Sequence, residues 1–280
     1  MTDDHALARD LAAQAGERLL GLRAQGGDPD VLRKAGDRLS HEFLAAALAA
    51  RRPDDVVLSE EAADNPARFG ARRVWIVDPL DGTREFGEPG RTDWAVHVAL
   101  WEDGDLTAGA VALPARGEVL STLEPPAQCH IGPVIAGAMS HRAGSATPGG
   151  AAGEDRGNDE PGVTHAPLRI VVSRSRPPGF VRNISDLLSA ELVPLGSAGA
   201  KVAAVIRGEV DAYVHGGGFY EWDTAAPVAV ARAAGLHASR IDGSALAYNQ
   251  PDLLMPDILV CRPAVAGTLL QAIREVTNAP

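Results

Sequence analysis

The stretch Val74-Trp75-Ile76-Val77-Asp78-Pro79-Leu80-Asp81-Gly82-Thr83 ends an apolar run in two carboxylates, a glycine and a hydroxyl. Carboxylates three apart across a proline-fixed turn can converge on neighbouring hard cations, with a backbone carbonyl, that of Leu80, directed inward beside them. Gly82 lets the backbone approach an anion closely, and the amides of Gly82 and Thr83 can cradle a phosphate where a short helix begins. An Asp-Gly dipeptide alone is an ordinary turn, so acids elsewhere in the chain decide what this one means. Ser59-Glu60-Glu61 closes another apolar run eighteen residues upstream of Asp78, and Trp222-Asp223-Thr224-Ala225-Ala226-Pro227 opens an amphipathic segment 142 residues beyond Asp81. Singly, the first reads as a solvated strand edge and the second as a helix N-cap. In combination they supply four acids, Glu60, Asp78, Asp81 and Asp223, of the kind hard divalent cations take as ligands.

Elements of recognisable period must carry these acids. Leu7, Leu11, Ala15, Leu19 and Leu22 recur at helical spacing behind the Thr2–Asp4 capping cluster and stop at Gly26-Gly27. A second helix is predicted from about Asp37 to Arg51, and strands at Val56–Leu58 and Arg73–Val77, the latter apolar at successive positions as a strand covered on both faces would be. Trp94–Trp101 and Leu106–Leu113 flank an Asp103-Gly104 turn as an antiparallel hairpin, extended by Glu118–Thr122. After a Gly/Ala/Pro-rich linker or loop at 143–167, strands near Leu168–Ser173, Leu192, Val210–Val214, His237 and Ile258–Cys261 alternate with helices from Phe180, at Ala200–Arg207, at Asp223–Ala234 and from Ala264. The reading is an α/β protein: an α+β lobe over 1–142 and an α/β lobe over 168–280.

With 280 residues and 45% hydrophobic content the chain can bury a large core. Its formal charge of −11 argues against a nucleic-acid polymer or acidic membrane as partner, since both are held by clustered Lys and Arg. An anionic small molecule would need a local positive site, which divalent cations provide. Cys129 and Cys261 fit no zinc pattern and read as inert thiols. The charged start and the lack of a long apolar run give a cytoplasmic expectation.

The acidic pair, D-P-L-D-G-T and the late W-D-T-A-A segment, in this order, resemble the inositol monophosphatase superfamily of magnesium-dependent, lithium-sensitive phosphatases, over almost the whole chain. Arg84-Glu85-Phe86 is similar to the D-G-T-[KR]-E-F of CysQ-type 3′(2′),5′-bisphosphate nucleotidases. Ser173-Arg174-Ser175 resembles their S-R-S-H loop, Gly196-Ser197 with Lys201 their G-S-x-x-x-K, and Tyr248-Asn249 their late Y-N; actinobacterial members in particular look similar, from Arg91-Thr92-Asp93-Trp94 and from Gly196 to Pro227. Two departures stand out. Arg176 replaces the loop histidine, and Val31–Asp37 keeps only the aspartate of S-P-V-T-x-A-D, so Asp37 has a simple N-cap reading beside a catalytic one.

The resemblance implies a layered αβαβα sandwich and two or three magnesium ions inhibited by lithium. It places Glu60, Asp78 and the Leu80 carbonyl around one ion and Asp78, Asp81 and Asp223 around another. Thr83, hydrogen-bonded toward Glu60 or Glu61, would orient water with Asp37 nearby. Gly82, Thr83, Arg84, Ser173, Arg174, Ser197, Lys201 and Asp223 would contact substrate, although Lys201 by itself reads equally as a solvated helix lysine. A homodimer fits this frame. The expected substrate is 3′-phosphoadenosine 5′-phosphate or its sulfated form; the alternative is a broader phosphatase for inositol 1-phosphate or fructose 1,6-bisphosphate. A haloacid-dehalogenase chemistry, which uses D-x-D-G-T and an aspartyl-phosphate, is excluded because Asp78 and Asp81 are three apart. A non-catalytic metal or nucleotide sensor is the remaining alternative.

Overall fold

The computed structural model describes residues 3–126, 166–175 and 177–278. Cys129, Arg176 and nearly all of the 143–167 linker lie outside the described residues. Helices α1 (Asp4–Ala24) and α2 (Pro29–Arg51) lead into β1 (Val56–Ser59), a 3-10 turn at Pro66–Gly70, β2 (Arg73–Asp81), the short α3 (Thr83–Gly87), β3 (Ala95–Glu102), β4 (Asp105–Leu113) and β5 (Glu118–Ser121). The second half runs β6 (Arg169–Ser173), α4 (Gly179–Leu188), β7 (Glu191–Leu195), α5 (Ala198–Ile206), β8 (Ala212–His215), β9 (Phe219–Tyr220), α6 (Glu221–Ala233), β10 (His237–Ser239), β11 (Leu254–Met255), β12 (Ile258–Cys261) and α7 (Pro263–Thr277).

Two five-stranded sheets result, ordered β1-β2-β3-β4-β5 and β10-β12-β8-β6-β7. In the first, only the β1–β2 pair is parallel. The apolar run of β2 is explained by what covers it. Trp75 and Val77 face α1 and α2 in one core, whereas Val74 and Ile76 face a second core shared with α5, α6 and the second sheet. The far face of the second sheet, including Ile170, Val214 and Leu259, packs against α4 and α7. The layers are therefore helix, sheet, helix, sheet, helix, the αβαβα sandwich expected.

Helix α2 begins eight residues earlier than the sequence pattern predicts. Asp28 caps it, accepting from the amides of Asp30 and Val31 at 2.9 and 3.1 Å, and Pro29 occupies the first helical position. Asp37 thus lies inside a helix, and its N-cap reading falls. The N-cap reading of Asp223 falls too, because α6 starts at Glu221 and Asp223 is its third residue, accepting from the Tyr220 amide at 2.6 Å.

Candidate active site

The strand β2 does not end in a turn at Pro79, as the sequence suggests; it continues to Asp81 through a bulge. Asp78 pairs with His97 and Asp81 with Ala95, so three steps on β2 span two on β3. In a regular strand, residues three apart point to opposite faces. The additional residue cancels that alternation, and both carboxylates reach the face covered by α5 and α6. Leu80 instead turns to the α1/α2 core. Its amide donates to Asp78 Oδ1 at 3.0 Å, which closes the bulge around that carboxylate.

Glu60 and Asp223 come to the same place from β1's end and from α6. Glu60 is exposed as a residue, but its carboxyl lies against Asp78. Burial and the charges of Asp223, Asp81 and Glu61 push its pKa up to about 7, with the hydrogen bond to Asp78 acting in the opposite direction. Asp78 is buried, and burial followed by the charges of Glu60, Asp81 and Asp223 drives it well above the ordinary carboxylate range. Two carboxyls, Glu60 and Asp78, raised by burial and by the charges of Asp81 and Asp223, mark a site that asks for positive charge. An all-oxygen donor set beside the Leu80 carbonyl suits hard divalent cations, so these residues fit the metal expected of them. Asp78, Asp81 and His97 also present ligand-type atoms within 4.8 Å of one another.

The Thr83 hydroxyl does not go to Glu60 or Glu61 as expected. It lies 3.4 Å from Asp37 Oδ1 and 3.0 Å from the Leu80 carbonyl oxygen. Because Asp37 sits mid-helix, α2 delivers it rigidly to α3. Burial and the Glu61 charge raise its pKa to about 6, while the Thr83 hydrogen bond works to lower it. Gly82, before α3, has φ of 83°, a left-handed value that glycine adopts freely.

Asp81, Gly82, Thr83, Arg84, Ser173, Ser197, Lys201, Tyr213, Phe219 and Asp223 share the wall of a cleft of about 520 Å³. Ser197 caps α5, and its hydroxyl donates to Asp81 Oδ2 at 2.6 Å while accepting from the Ala200 amide. The Gly199 amide donates to the same Asp81 oxygen at 2.9 Å, so the α5 N-terminus holds Asp81. Lys201 is buried, contrary to its solvated reading. Its ammonium curls back to the carbonyls of Gly196 and Ser197 and stands 5.2 Å from the Tyr213 ring. Arg174, expected on substrate, does not line this cleft; it pairs with Glu85 at 2.7 Å and Glu88 at 2.8 Å. Arg84 lies exposed in the wall without an ion pair among the described residues.

Two participants escaped the sequence reading. Asp93 accepts from the amide of Gly196 at 2.7 Å and, through its carbonyl, from that of Ser197 at 3.2 Å, fixing the loop before α5. His97 lies fully buried, with Nδ1 3.2 Å from the Trp222 carbonyl oxygen and Nε2 3.2 Å from Asp81 Oδ2. The signal for His97 was present: a single histidine inside Trp94-Ala95-Val96-His97-Val98-Ala99-Leu100, where a buried polar group requires partners.

An αβαβα sandwich with clustered acids at the end of a bulged inner strand is the architecture of a phosphatase fold. The chain matches the inositol monophosphatase family over residues 5–278 and belongs to it; the family is metal-dependent. A 3′-phosphoadenosine 5′-phosphate phosphatase of Mycobacterium leprae is 49% identical over 284 residues, covering 98% of this chain and 94% of that protein. The 3′(2′),5′-bisphosphate nucleotidase CysQ of Shigella flexneri is 30% identical over 253 residues, covering 85% and 91%. The crystal structure of CysQ from Bacteroides thetaiotaomicron superimposes with a TM-score of 0.69 at 27% identity, covering 92% of this chain and 97% of that one. No helix among the described residues is long and apolar enough to cross a membrane.

Proposed function

We propose that this enzyme removes the 3′-phosphate of 3′-phosphoadenosine 5′-phosphate, and of 3′-phosphoadenosine 5′-phosphosulfate, releasing orthophosphate with AMP or adenosine 5′-phosphosulfate. The observation that carries the reading is the meeting of Glu60 and Asp78 with Asp81 and Asp223, the last two in the wall of the cleft, with no arginine or lysine paired to Glu60 or Asp78 among the described residues. The full-length similarity to a relative of that activity supports the choice of nucleotide.

Glu60, Asp78 and the Leu80 carbonyl would hold one magnesium ion, and Asp78, Asp81 and Asp223 a second; a third ion and displacement by lithium belong to the same reading. When bound, such ions acidify water and stabilise the attacking and leaving oxygens of an in-line displacement. The chain itself supplies orientation and a proton acceptor. Thr83 can accept from water while donating to Asp37, and Asp37, with a pKa near 6, is largely ionised at neutral pH yet basic enough to take a proton. Glu61 acts through its charge on Asp37. Gly82 and the α3 amides would line the place of the transferred phosphate, and Arg84, exposed in the wall with no ion pair among the described residues, would meet a second one. Lys201 and Ser197 shape the wall, Lys201 as a buried charge and Ser197 through Asp81. Ser173 lines the wall too, while Arg174 would contact substrate only on leaving Glu85 and Glu88. The reading places the enzyme in the cytoplasm, where the buried thiol of Cys261 stays reduced.

The test is kcat/KM with magnesium for 3′-phosphoadenosine 5′-phosphate, inositol 1-phosphate and fructose 1,6-bisphosphate. The nucleotide should lead by at least about tenfold, the size of one well-made extra polar contact. A nucleotide value at or below either sugar phosphate rejects the proposal in favour of the broader phosphatase. Thr83→Ala should lower kcat about 10²- to 10⁴-fold with KM little changed, and Thr83→Ser should recover most of it.

A further inference from the structure

We infer that Arg174 is a positioning residue rather than a substrate contact: from the end of β6 it clamps Glu85 and Glu88, and so sets the width of the cleft where a second phosphate is met. The inference rests on the proposal that the substrate is a bisphosphate nucleotide whose second phosphate lies near Arg84. Gly82 and Arg84 come to this cleft from the first half of the chain, Ser173 and Ser175 from the second. Arg174 lies between those two serines in sequence, yet it does not line the cleft and reaches α3 instead. Its Nε and Nη2 donate to Glu85 Oε1 at 3.1 and 2.7 Å, and Nη2 donates also to Glu88 Oε1 at 2.8 Å. Glu85 is buried, which sets this bridge apart from exposed ion pairs that contribute little.

Both sides of the clamp are anchored. On the first, Arg23 of α1 donates to the carbonyls of Glu85, Glu88 and Arg91, which holds the end of α3 and the residues that follow it. On the second, the Arg174 amide donates to the Leu195 carbonyl at 2.9 Å and carries the β6–β7 pairing one residue further. The residue after Leu195 is Gly196, and it leaves the room that Glu85 needs. A Cβ there would stand 2.5 Å from Glu85 Cγ and Cδ and 2.9 Å from the Asp93 carbonyl oxygen. Glu85 is thus seated between Arg174 and Gly196, both from the second half of the chain. Drawing Arg174 away to a phosphate would leave the buried Glu85 carboxylate without its cation, which is the costly way to break such a pair. Arg84 is exposed and has no ion pair among the described residues, so it meets a phosphate without that cost.

The experiment measures kcat and KM of the full-length protein with magnesium, for 3′-phosphoadenosine 5′-phosphate and for inositol 1-phosphate, and follows urea unfolding of each variant. Glu85→Gln and Arg174→Ala should each raise KM for the nucleotide about tenfold, with kcat and the inositol 1-phosphate KM within about threefold of wild type. A loosened wall costs binding of the second phosphate and spares the chemistry. The double variant should be within about twofold of the poorer single one, since both substitutions break the same bridge. Arg174→Lys keeps a cation at the clamp and should recover part of the loss. Were Arg174 a substrate contact, Glu85→Gln would free it and lower KM for the nucleotide. That result, or single effects that multiply in the double variant, would overturn the clamp. So would wild-type nucleotide KM values in folded variants that have lost stability alone. If Arg174→Ala does not fold with Glu85 stranded, Glu85→Gln and the double variant decide the question, because neither leaves the Glu85 charge buried and unpaired. A wild-type enzyme that prefers inositol 1-phosphate fails the functional reading before any variant is compared, and the inference falls with it.

Discussion

At its first residue β2 sets Arg73 among Asp55, Asp4 and Glu102, at 2.9, 3.0 and 3.1 Å; eight residues later the same strand ends at Asp81, close to the carboxyls of Glu60 and Asp78. At the Arg73 end every acid has a cation or a donor. Arg52 adds a second partner for Asp4 at 2.7 Å, and the Trp75 indole donates to Asp55 at 2.8 Å. Burial would raise the Asp4 pKa, but the hydrogen bonds from Arg52 and Arg73 outweigh it and hold the carboxyl below its usual range. At the Asp78 end burial acts in the same direction with nothing to oppose it but hydrogen bonds, and the pKa rises. One strand therefore carries a charge cluster completed by the protein and another left open for something the protein must bind. In the function proposed above, the first serves stability and the second chemistry.

Asp81→Asn is the strongest way to break this contrast. It should lower kcat/KM for the preferred substrate by on the order of 10³-fold or more, because it removes an anionic ligand of the cation that would stabilise the developing oxyanions, while the metal-free fold persists or gains stability. An active Asp81→Asn enzyme would remove the open cluster from the chemistry altogether. Arg73→Ala attacks the other end. It strands Asp55 and Asp4 without their shared cation and should cost about 2–3 kcal/mol of stability in urea unfolding, with kcat per folded molecule within about twofold of wild type. A large loss of kcat at unchanged stability would show that the two ends do not divide the work this way.

The contrast was half legible in the sequence. The acids of the open end stand in compact motifs, since carboxylates at strand ends and helix starts leave local marks. The layers were legible as well, because alternating periods report which elements form. What failed depended on partners distant in sequence. The bulge could not be read from Pro79, because register is set by β3, and the sequence offers a turn equally well. The cap reading of Asp37, offered beside a catalytic one, fell because Asp28-Pro29, the true start, precedes residues with little apolar period. Lys201 looked solvated, although Ala198–Ile206 is otherwise apolar or glycine throughout, which is the mark of a helix covered on all sides. The pairing of Arg174 with Glu85 and Glu88, 89 and 86 positions away, which it would have to leave to reach substrate, was not legible either.

The mildest test sharpens the contrast through pH. Glu60, whose ordinary pKa is 4.5, titrates near 7 in the folded protein. A carboxyl raised in this way favours folding while protonated; its contribution is intact below pH 4.5 and is lost as pH rises through 7. Metal-free wild type should therefore lose stability relative to Glu60→Gln between pH 5 and pH 8. Asp37 and Asp78 titrate in both proteins, so the difference reports Glu60 and its coupling to Asp78. Glu60 also meets solvent, and screening limits the expected gap at pH 8 to about 1 kcal/mol in favour of the glutamine variant. Saturating magnesium should invert the order, because a cation that binds only the folded state stabilises wild type by more when its ligand is ionised. Urea midpoints at both pH values, with and without magnesium, give all four comparisons. Parallel curves for the two proteins would mean that Glu60 feels no unbalanced charge, and the open end of β2 would then resemble the closed one.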